Sequence, residues 1–175
     1  LVERHSEEFM ISLTLNDSRN FMSHLLLSDT FDHFLLVEGE LVTCFTLRVE
    51  GFAQKAFFQK DDPELEQLED YIPWQKVREL FFSQIKGKRT PLNFRFVFRL
   101  SRENTERLIR LNQLDFQPSN VQGLYLNLRF DGSHLQCITG TSLNLFTPDK
   151  SLEHAWDLSV QKFLANKDIS FESDL

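Results

Sequence analysis

The stretch LNFRFVFRL, residues 92–100, decides the fold class of this chain. Its apolar side chains fall on every second position, at Leu92, Phe94, Phe96, Phe98 and Leu100. A period of two residues is typical of a strand that buries one face and exposes the other. Residues 123–130, GLYLNLRF, repeat this alternation and run into Asp131-Gly132, a pair that favours a tight hairpin turn. The sequence therefore predicts an antiparallel sheet with one apolar and one polar face.

Amphipathic helices are predicted to cover the apolar face of this sheet. They are expected to begin near Asp17, Pro73, Ser101 and Pro148. Aspartate and serine are favoured as helix N-caps, and proline is favoured in the first helical turn. Apolar residues follow each start at helical spacing. The predicted fold class is α+β, a mainly antiparallel twisted sheet with about four helices packed on one face.

The segments between these helices show weaker patterns. Apolar runs at 34–37 and 41–49 flank Glu38-Gly39, which predicts a hairpin with its turn at that pair. Residues 52–58 are expected to add a further strand. The acidic residues within 60–70 are expected to form a solvated loop.

Length and composition indicate one ordinary globular domain. The chain has 175 residues, of which 41% are hydrophobic and 26% are charged. We expect the domain to span residues 10–166, since Met10 comes just before the first alternating strand. Residues 1–9, LVERHSEEF, are interpreted as a non-native remnant or a disordered lead-in. Residues 167–175 are interpreted as a frayed tail.

The sequence also carries information about the compartment. No apolar run is long enough to cross a membrane, and no secretory leader is recognisable. Cys44 and Cys137 are too few for a disulfide scaffold and are expected to be two buried thiols. These features predict a cytoplasmic protein without a membrane partner.

Two segments of the chain align with each other. Residues 35–46, LLVEGELVTCFT, match residues 128–139, LRFDGSHLQCIT, at a constant offset of 93. Glycine, cysteine and threonine coincide at Gly39/Gly132, Cys44/Cys137 and Thr46/Thr139. One interpretation is a pseudo-twofold repeat of strand, helix, hairpin and helix, which would place both cysteines on the same sheet face. The other is that two hairpins share turn chemistry by chance.

Charge is distributed unevenly along the chain. Lys and Arg number 19 and Asp and Glu number 26, which gives a net charge of −7. Residues 86–110 contain eight Lys and Arg but two Glu, so this window carries +6 and the remainder carries −13. The residues predicted to bind an anion or a partner are Lys86, Lys88, Arg89, Arg95, Arg99, Tyr125 and Arg129.

Four of these residues belong to the polar face of the predicted sheet. Alternation places Arg95, Arg99, Tyr125 and Arg129 there, on the side that the helices leave open. A cationic face suits an acidic protein partner or a second copy of the chain. It suits a nucleic acid less well, because the net negative charge repels a polyanion. The alternative is that acidic segments such as 61–70 lie across the basic face and neutralise it.

No motif supports an enzymatic function. The chain lacks Gly-x-Ser-x-Gly, His-Glu-x-x-His and dinucleotide-binding patterns, and residues 86–89 lack P-loop spacing. Its five His and two Cys show no metal-ligand spacing. We therefore predict no catalytic residue, metal or cofactor. The favoured hypothesis is a non-enzymatic binding or assembly module. The alternative is an enzyme of unrecognised type that acts on an anionic small molecule and needs a concave pocket near the basic residues.

Several segments resemble a known family. They are LLLSDTFDHFLLVEGE (25–40), IKGKRTPLNFRFVFRLS (85–101), GLYLNLRFDG (123–132) and TGTSLNLFTPDKSLEHAWD (139–157). Together they resemble uncharacterised bacterial proteins from Clostridia-type Firmicutes that share a domain of unknown function. That resemblance implies a bacterial, cytoplasmic protein and brings no activity or cofactor. The predicted order of elements also resembles, more weakly, one domain of a sliding clamp, although fold alone does not imply function.

Overall fold

The computed structural model describes residues 11–87 and 89–174. Within them the sheet has eight strands: β1 (Ser12–Leu15), β2 (Phe34–Val42), β3 (Thr46–Glu50), β4 (Ile72–Pro73), β5 (Asn93–Leu100), β6 (Val121–Phe130), β7 (Leu135–Leu143) and β8 (Phe171–Ser173). The described residues also form five α-helices: α1 (Ser18–Leu26), α2 (Pro63–Gln67), α3 (Arg78–Phe82), α4 (Arg102–Leu111) and α5 (Ser151–Asn166).

The strands form a single antiparallel sheet. Their order is β3-β2-β5-β6-β7-β1-β8, and β4 pairs with β2 beyond the end of β3. The long strands β2, β5, β6 and β7 lie side by side in the middle and carry most of the pairing. Each pair of neighbouring strands runs antiparallel, so the predicted α+β fold class is confirmed.

Four helices pack on one face of this sheet, as predicted. Each of them buries apolar side chains in the same core, represented by Phe21 in α1, Phe81 in α3, Leu108 in α4 and Trp156 in α5. The sheet contributes the alternating residues of β5 and β6, which are buried on this side. Helix α2 buries no residue and lies outside this layer.

The expected capping residues begin two of these helices. The Asp17 carboxylate accepts a hydrogen bond from the Asn20 N–H, and the Ser101 hydroxyl accepts one from the Asn104 N–H. Both satisfy backbone donors that a helix N-terminus leaves without a partner. The helix expected at Pro73 begins later, because residues 74–76 form a short 3-10 turn and α3 starts at Arg78.

The hairpin turn predicted at Glu38-Gly39 is wrong. Both residues lie inside β2, and the chain turns at residues 43–45 instead. A side chain at Gly39 would place its Cβ 2.8 Å from Cδ1 of Phe96 and 3.0 Å from Cζ of Phe81. Glycine occurs here because two aromatic rings fill the space, and not because the backbone turns.

The turn predicted at Asp131-Gly132 is confirmed. Gly132 has a φ of +100°, a conformation that favours glycine. The Asp131 carboxylate accepts hydrogen bonds from the N–H groups of Ser133 and His134, at 2.8 and 2.6 Å. These bonds lower the pKa of Asp131.

The aligned segments therefore occupy different structural positions. Gly39 is inside a strand, whereas Gly132 is in a turn. Cys44 is exposed and Cys137 is buried, so the expectation of two buried thiols on one face is wrong for Cys44. A twofold repeat would make β1 and β5 equivalent, each followed by a helix and then by a hairpin. β5 pairs with β6, the first strand of its own hairpin, but β1 lies between β7 and β8 and does not pair with β2. The sheet order therefore lacks the predicted twofold relation.

Three other local expectations differ from the structure. Residues 52–58 contain a short 3-10 turn at 55–57 instead of a strand. The acidic segment contains α2. The tail expected to fray contains β8, which pairs with β1. The interpretation of residues 1–9 lies outside the described residues. No helix among those described is long and apolar enough to cross a membrane.

Candidate functional site

The face of the sheet opposite the four core helices, the open face, exposes Arg95 and Arg129 but buries Leu35 and Val97. Its central strands β5 and β6 carry the predicted residues in direct register. Arg95 lies opposite Arg129, and Arg99 lies opposite Tyr125, with Val97 and Asn127 between them. The alternation of each strand sends these side chains away from the core, because their neighbours Phe94, Phe96 and Phe98 point into it. The structure thus brings four of the seven predicted site residues together.

Acidic residues border these arginines on one side. Glu38 and Glu40 of β2 lie opposite Val97 and Arg95. The Glu38 carboxylate is 3.0 Å from the Arg95 guanidinium and 3.8 Å from that of Arg48. Arg48 also lies 3.9 Å from Glu50. The strands themselves therefore supply a ladder of alternating charges across β3, β2 and β5.

The acidic segment 61–70 does not neutralise this face, so that expectation is wrong. Glu64 pairs with Lys76 and Asp70 pairs with Lys55, both in the same stretch of chain. Glu69 accepts a hydrogen bond from the N–H of Arg102, at the start of α4. The contacts of Glu64, Glu69 and Asp70 are therefore with residues other than the arginines of the open face.

Arg129 is the least compensated cation of the open face. Its side chain is exposed and forms no hydrogen bond or ion pair with any residue that the structure describes. Its cross-strand neighbour Arg95 carries the same charge. Like charges directly opposite each other are unfavourable in a sheet. Glu38 compensates the charge of Arg95, so Arg129 is the member of this pair that an added anion would compensate.

Aromatic rings flank the other end of the same cluster. The Arg99 guanidinium carbon lies 5.7 Å from the centre of the Tyr71 ring, a cation–π distance. Tyr125 is half-buried, and this burial raises the pKa of its hydroxyl, although the nearby Arg99 opposes the rise. Tyr125 therefore keeps its proton at neutral pH and can donate a hydrogen bond to an anion beside Arg99.

The remaining predicted residues do not join this cluster. Lys86 and Arg89 are exposed in the connection between α3 and β5, and Lys88 lies outside the described residues. The other arginines of the window are on α4, on the helical side of the sheet. The window 86–110 is therefore basic in sequence but divided between two faces in space.

The open face is shallow. Its depression between β2, β3 and β5 has a volume of about 90 Å³ and is lined by Glu38, Glu40, Arg48 and Arg95. Small-molecule sites usually enclose about 300–1,000 Å³. The depression beside Arg95 is therefore smaller than a typical small-molecule site.

Sequence reasoning missed the acidic border. The predicted turn at Glu38-Gly39 takes Glu38 out of the strand, but Glu38 and Glu40 both lie in β2, and the register shift between Leu36 and Glu38 places them on the same face as Arg95. The signal was present, because Glu38, Glu40 and Val42 alternate with Gly39 and Leu41. Among the described residues, no group of three His, Cys, Asp or Glu is placed to hold a metal ion.

A second polar group lies inside the helical layer. The Thr139 hydroxyl donates to the Asp157 carboxylate at 2.5 Å, and both residues are buried between β7 and α5. Burial raises the pKa of Asp157 against the effect of this hydrogen bond. Burial also raises the pKa of the Cys137 thiol, which therefore stays protonated. The bond between Thr139 and Asp157 joins the sheet to α5, and all three side chains are buried.

The fold and the site define an α+β protein with four helices on one sheet face and an arginine cluster on the other. The chain matches the DUF5721 family, a family of unknown function, over residues 24–172, and it belongs to that family. No curated protein and no solved structure matches it.

Proposed function

We propose that this protein is a binding module whose open sheet face docks an acidic segment of a partner protein. The observation that carries the proposal is Arg129, an exposed cation with no ion pair among the described residues, in direct register with Arg95, whose own counter-charge is Glu38. A carboxylate beside Arg129 would supply the counter-charge that this residue lacks and accept charge-assisted hydrogen bonds from it, while Arg95 keeps further N–H donors besides its contact with Glu38.

The dimensions of the cluster favour a short acidic segment. Neighbouring strands are about 4.8 Å apart, and four residues along a strand span about 13 Å. Arg95, Arg99 and Arg129 therefore occupy a patch two strands wide and about four residues long. A few consecutive Asp or Glu side chains are enough to cover it.

The borders of the cluster favour a protein over a nucleic acid. Glu38 and Glu40 lie on one side of the arginines, and Glu172 and Asp174 lie at the far edge of the sheet. A continuous polyanion that crosses the face would meet these carboxylates as well as the net charge of −7. A protein segment can present basic residues to the borders and acidic residues to the centre.

The enzymatic alternative has less support at this face. It requires a concave pocket close to the basic residues, and the depression beside Arg95 has about 90 Å³. The resemblance to bacterial proteins of Clostridia-type Firmicutes supports a bacterial cytoplasmic setting for the module, which stays a prediction, as does the weaker likeness to a clamp domain.

Binding of a model acidic segment tests the proposal. Fluorescence anisotropy at low salt measures the Kd of a fluorescein-labelled polyglutamate peptide. We expect the double variant Arg95→Gln/Arg129→Gln to raise this Kd at least about tenfold, equivalent to about 1.4 kcal/mol. Glutamine keeps the length and polarity of the side chains and removes the charge. The variant should melt within a few degrees of the parent protein.

A matched control separates the local cluster from net charge. Arg110→Gln/Lys162→Gln makes the same change in net charge on exposed residues of α4 and α5. We expect its Kd to stay within about twofold of the parent value. Equal weakening in both double variants would contradict a specific docking face. So would tighter binding of an oligo-dT strand than of the peptide, or a salt-sensitive homodimer that the first double variant dissociates.

A further inference from the structure

A separate groove lies on the opposite side of the sheet, between α4 and α5. Both helices line it with residues at positions i, i+3, i+4 and i+7, from Asn104 to Leu111 in α4 and from Trp156 to Phe163 in α5. This spacing places one continuous stripe of each helix along the groove. The cavity has a volume of about 300 Å³. It therefore reaches the size of small-molecule sites, which the open face does not.

The floor of the groove is apolar and fixed. Phe34 and Leu100 form it from the paired strands β2 and β5. The Phe34 ring packs against Phe163 with ring centres 5.7 Å apart. Trp156 is held by a hydrogen bond of 3.0 Å from its indole N–H to the carbonyl of Tyr125. A ligand would meet a surface whose side chains are already in place, which lowers the entropic cost of binding.

The rim carries polar groups that still have hydrogen-bonding capacity. The side chains of Asn104, His33 and Ser159 form no hydrogen bond with any described residue. The Arg107 guanidinium lies 3.5 Å from the carboxylate of Glu103, whose side chain is 83% exposed. A guanidinium has five N–H donors, so this contact leaves others for a ligand. No acidic side chain lines the cavity. Donors therefore outnumber acceptors around an apolar floor.

We propose that this groove binds a small amphiphilic carboxylate, with its hydrocarbon part on the Phe34–Leu100 floor and its carboxylate at the Arg107 rim. The planar fork of an arginine matches a carboxylate, and the Asn104 amide adds a further donor on the same helix face. Burial of apolar ligand surface contributes about 25 cal/mol per Å², so a medium-length chain gains affinity from the floor. This site is independent of the docking face proposed above.

Three probes of equal chain length test the class of ligand. Isothermal titration calorimetry compares decanoate, decanol and decylamine, each below its aggregation threshold, on the full chain. We expect decanoate to bind at least about tenfold more tightly than decanol, since the carboxylate adds a charge-assisted contact, and decylamine to bind more weakly than both. Tryptophan fluorescence gives a second readout, because Trp156 lines the groove and Trp74 does not.

Two variants separate the head group from the chain. Arg107→Gln is expected to bring the decanoate Kd to within about threefold of the decanol Kd and to leave decanol binding unchanged. Ser159→Phe is expected to fill the groove and abolish binding of both probes. Arg110→Gln is the matched control, because Arg110 is exposed on the same helix and does not line the groove. Far-ultraviolet circular dichroism and the Tm of each variant check that the fold is retained.

Clear outcomes would overturn the proposal. Equal affinity for decanoate and decanol in the parent protein would remove the role of the cationic rim. No decanoate binding at about 1 mM, which corresponds to about 4 kcal/mol, would remove the site itself. Unchanged decanoate binding in a folded Ser159→Phe variant would place the probe elsewhere. None of these results bears on the polyglutamate experiment, which concerns the opposite face.

Discussion

At the scale of single residues, Gly39 shows how packing can impose a glycine. The nearest atoms to its missing side chain belong to Phe96 and Phe81, and both rings are fully buried. We expect Gly39→Ala to reduce the free energy of unfolding by about 1–3 kcal/mol, because neither ring can move without disturbing the core. Urea denaturation followed by circular dichroism measures this change.

Gly140→Ala is the matched control for that substitution. Gly140 lies in β7, and an added Cβ would be 3.6 Å from Cβ of Tyr125, an ordinary contact. Alanine also loses less conformational freedom on folding than glycine. The control should be as stable as the parent protein or slightly more stable. A Gly39→Ala variant that matches it would show that β2 does not pack against the aromatic rings as described.

Asp157 predicts a dependence of stability on pH. Its pKa is raised by burial, while the Thr139 hydroxyl and His154 lower it and Glu153 raises it further. A carboxyl with a raised pKa binds a proton more readily in the folded state. Stability therefore falls as pH rises from about 4 through the raised pKa. We expect Asp157→Asn to remove this fall and to raise the Tm at neutral pH by a few degrees.

Asp149 provides a control with the opposite sign. The N–H of Ser151 donates to the Asp149 carboxylate at the start of α5 and lowers its pKa. Asp149 therefore stabilises the folded state at pH values above the ordinary carboxyl pKa, and this stabilisation disappears as pH falls through the lowered pKa. Thermal melts between pH 3 and 8 should show opposite effects of Asp149→Asn and Asp157→Asn. Parallel pH profiles for Asp157→Asn and the parent protein would contradict the buried carboxyl.

Sequence alone predicted a good part of the candidate site at this scale. The period of two in β5 and β6 was enough to place Arg95, Arg99, Tyr125 and Arg129 on one face. The alternation of Glu38 and Glu40 with Gly39 and Leu41 could place both acids on one strand face, but it could not show that they lie beside Arg95, because the register shift in β2 depends on pairing with a distant strand. It also could not show that Arg129 lacks a counter-charge, which depends on all neighbouring strands.

At the scale of elements, the chain end after α5 is docked on the sheet. Ile169 is 3% exposed, and β8 pairs with β1. The Asp174 carboxylate accepts hydrogen bonds from the hydroxyls of Ser12 and Thr14, which lower its pKa. These contacts join residues more than 150 positions apart, so local patterns in the last ten residues gave no sign of them.

A core substitution tests this docking. We expect Ile169→Ala to cost about 2–5 kcal/mol in the free energy of unfolding, as for other buried isoleucines. Leu158→Ala on the outer side of α5 is the control, since Leu158 is 51% exposed and should change stability by less than about 0.5 kcal/mol. Chemical denaturation measures both. Similar small effects would mean that the last segment adds nothing to the core.

Helices and central strands were predictable where their signals are local. Asp17 and Ser101 are caps whose hydrogen bonds lie within three residues, and both predicted starts are confirmed. The start at Pro73 was predicted too early, because residues 74–76 form a 3-10 turn and Val77, with φ −120° and ψ −5°, interrupts the helical backbone before α3 begins.

At the scale of the whole molecule, one sheet separates two surfaces of different chemistry. The arginine cluster lies on the open face, and the apolar groove lies between the helices on the other. The uneven charge of the sequence predicted one basic region, but the fold divides it between these sides. Strand residues point alternately to the two faces, and a helix that follows the strand stays on one of them.

The two proposed sites are connected by Trp156, which lines the groove and donates to the Tyr125 carbonyl behind the open face. Coupling between sites requires an element with two arrangements that each ligand favours differently. Trp156 is 2% exposed and Tyr125 is paired on both sides within the sheet, so neither residue can move without disturbing packed neighbours. We therefore expect saturating polyglutamate to change the decanoate Kd by less than about twofold. Added salt should weaken peptide binding strongly and decanoate binding only slightly, because the floor of the groove is apolar. A larger mutual effect in the titration would mean that the sheet has a second arrangement and transmits binding between its faces.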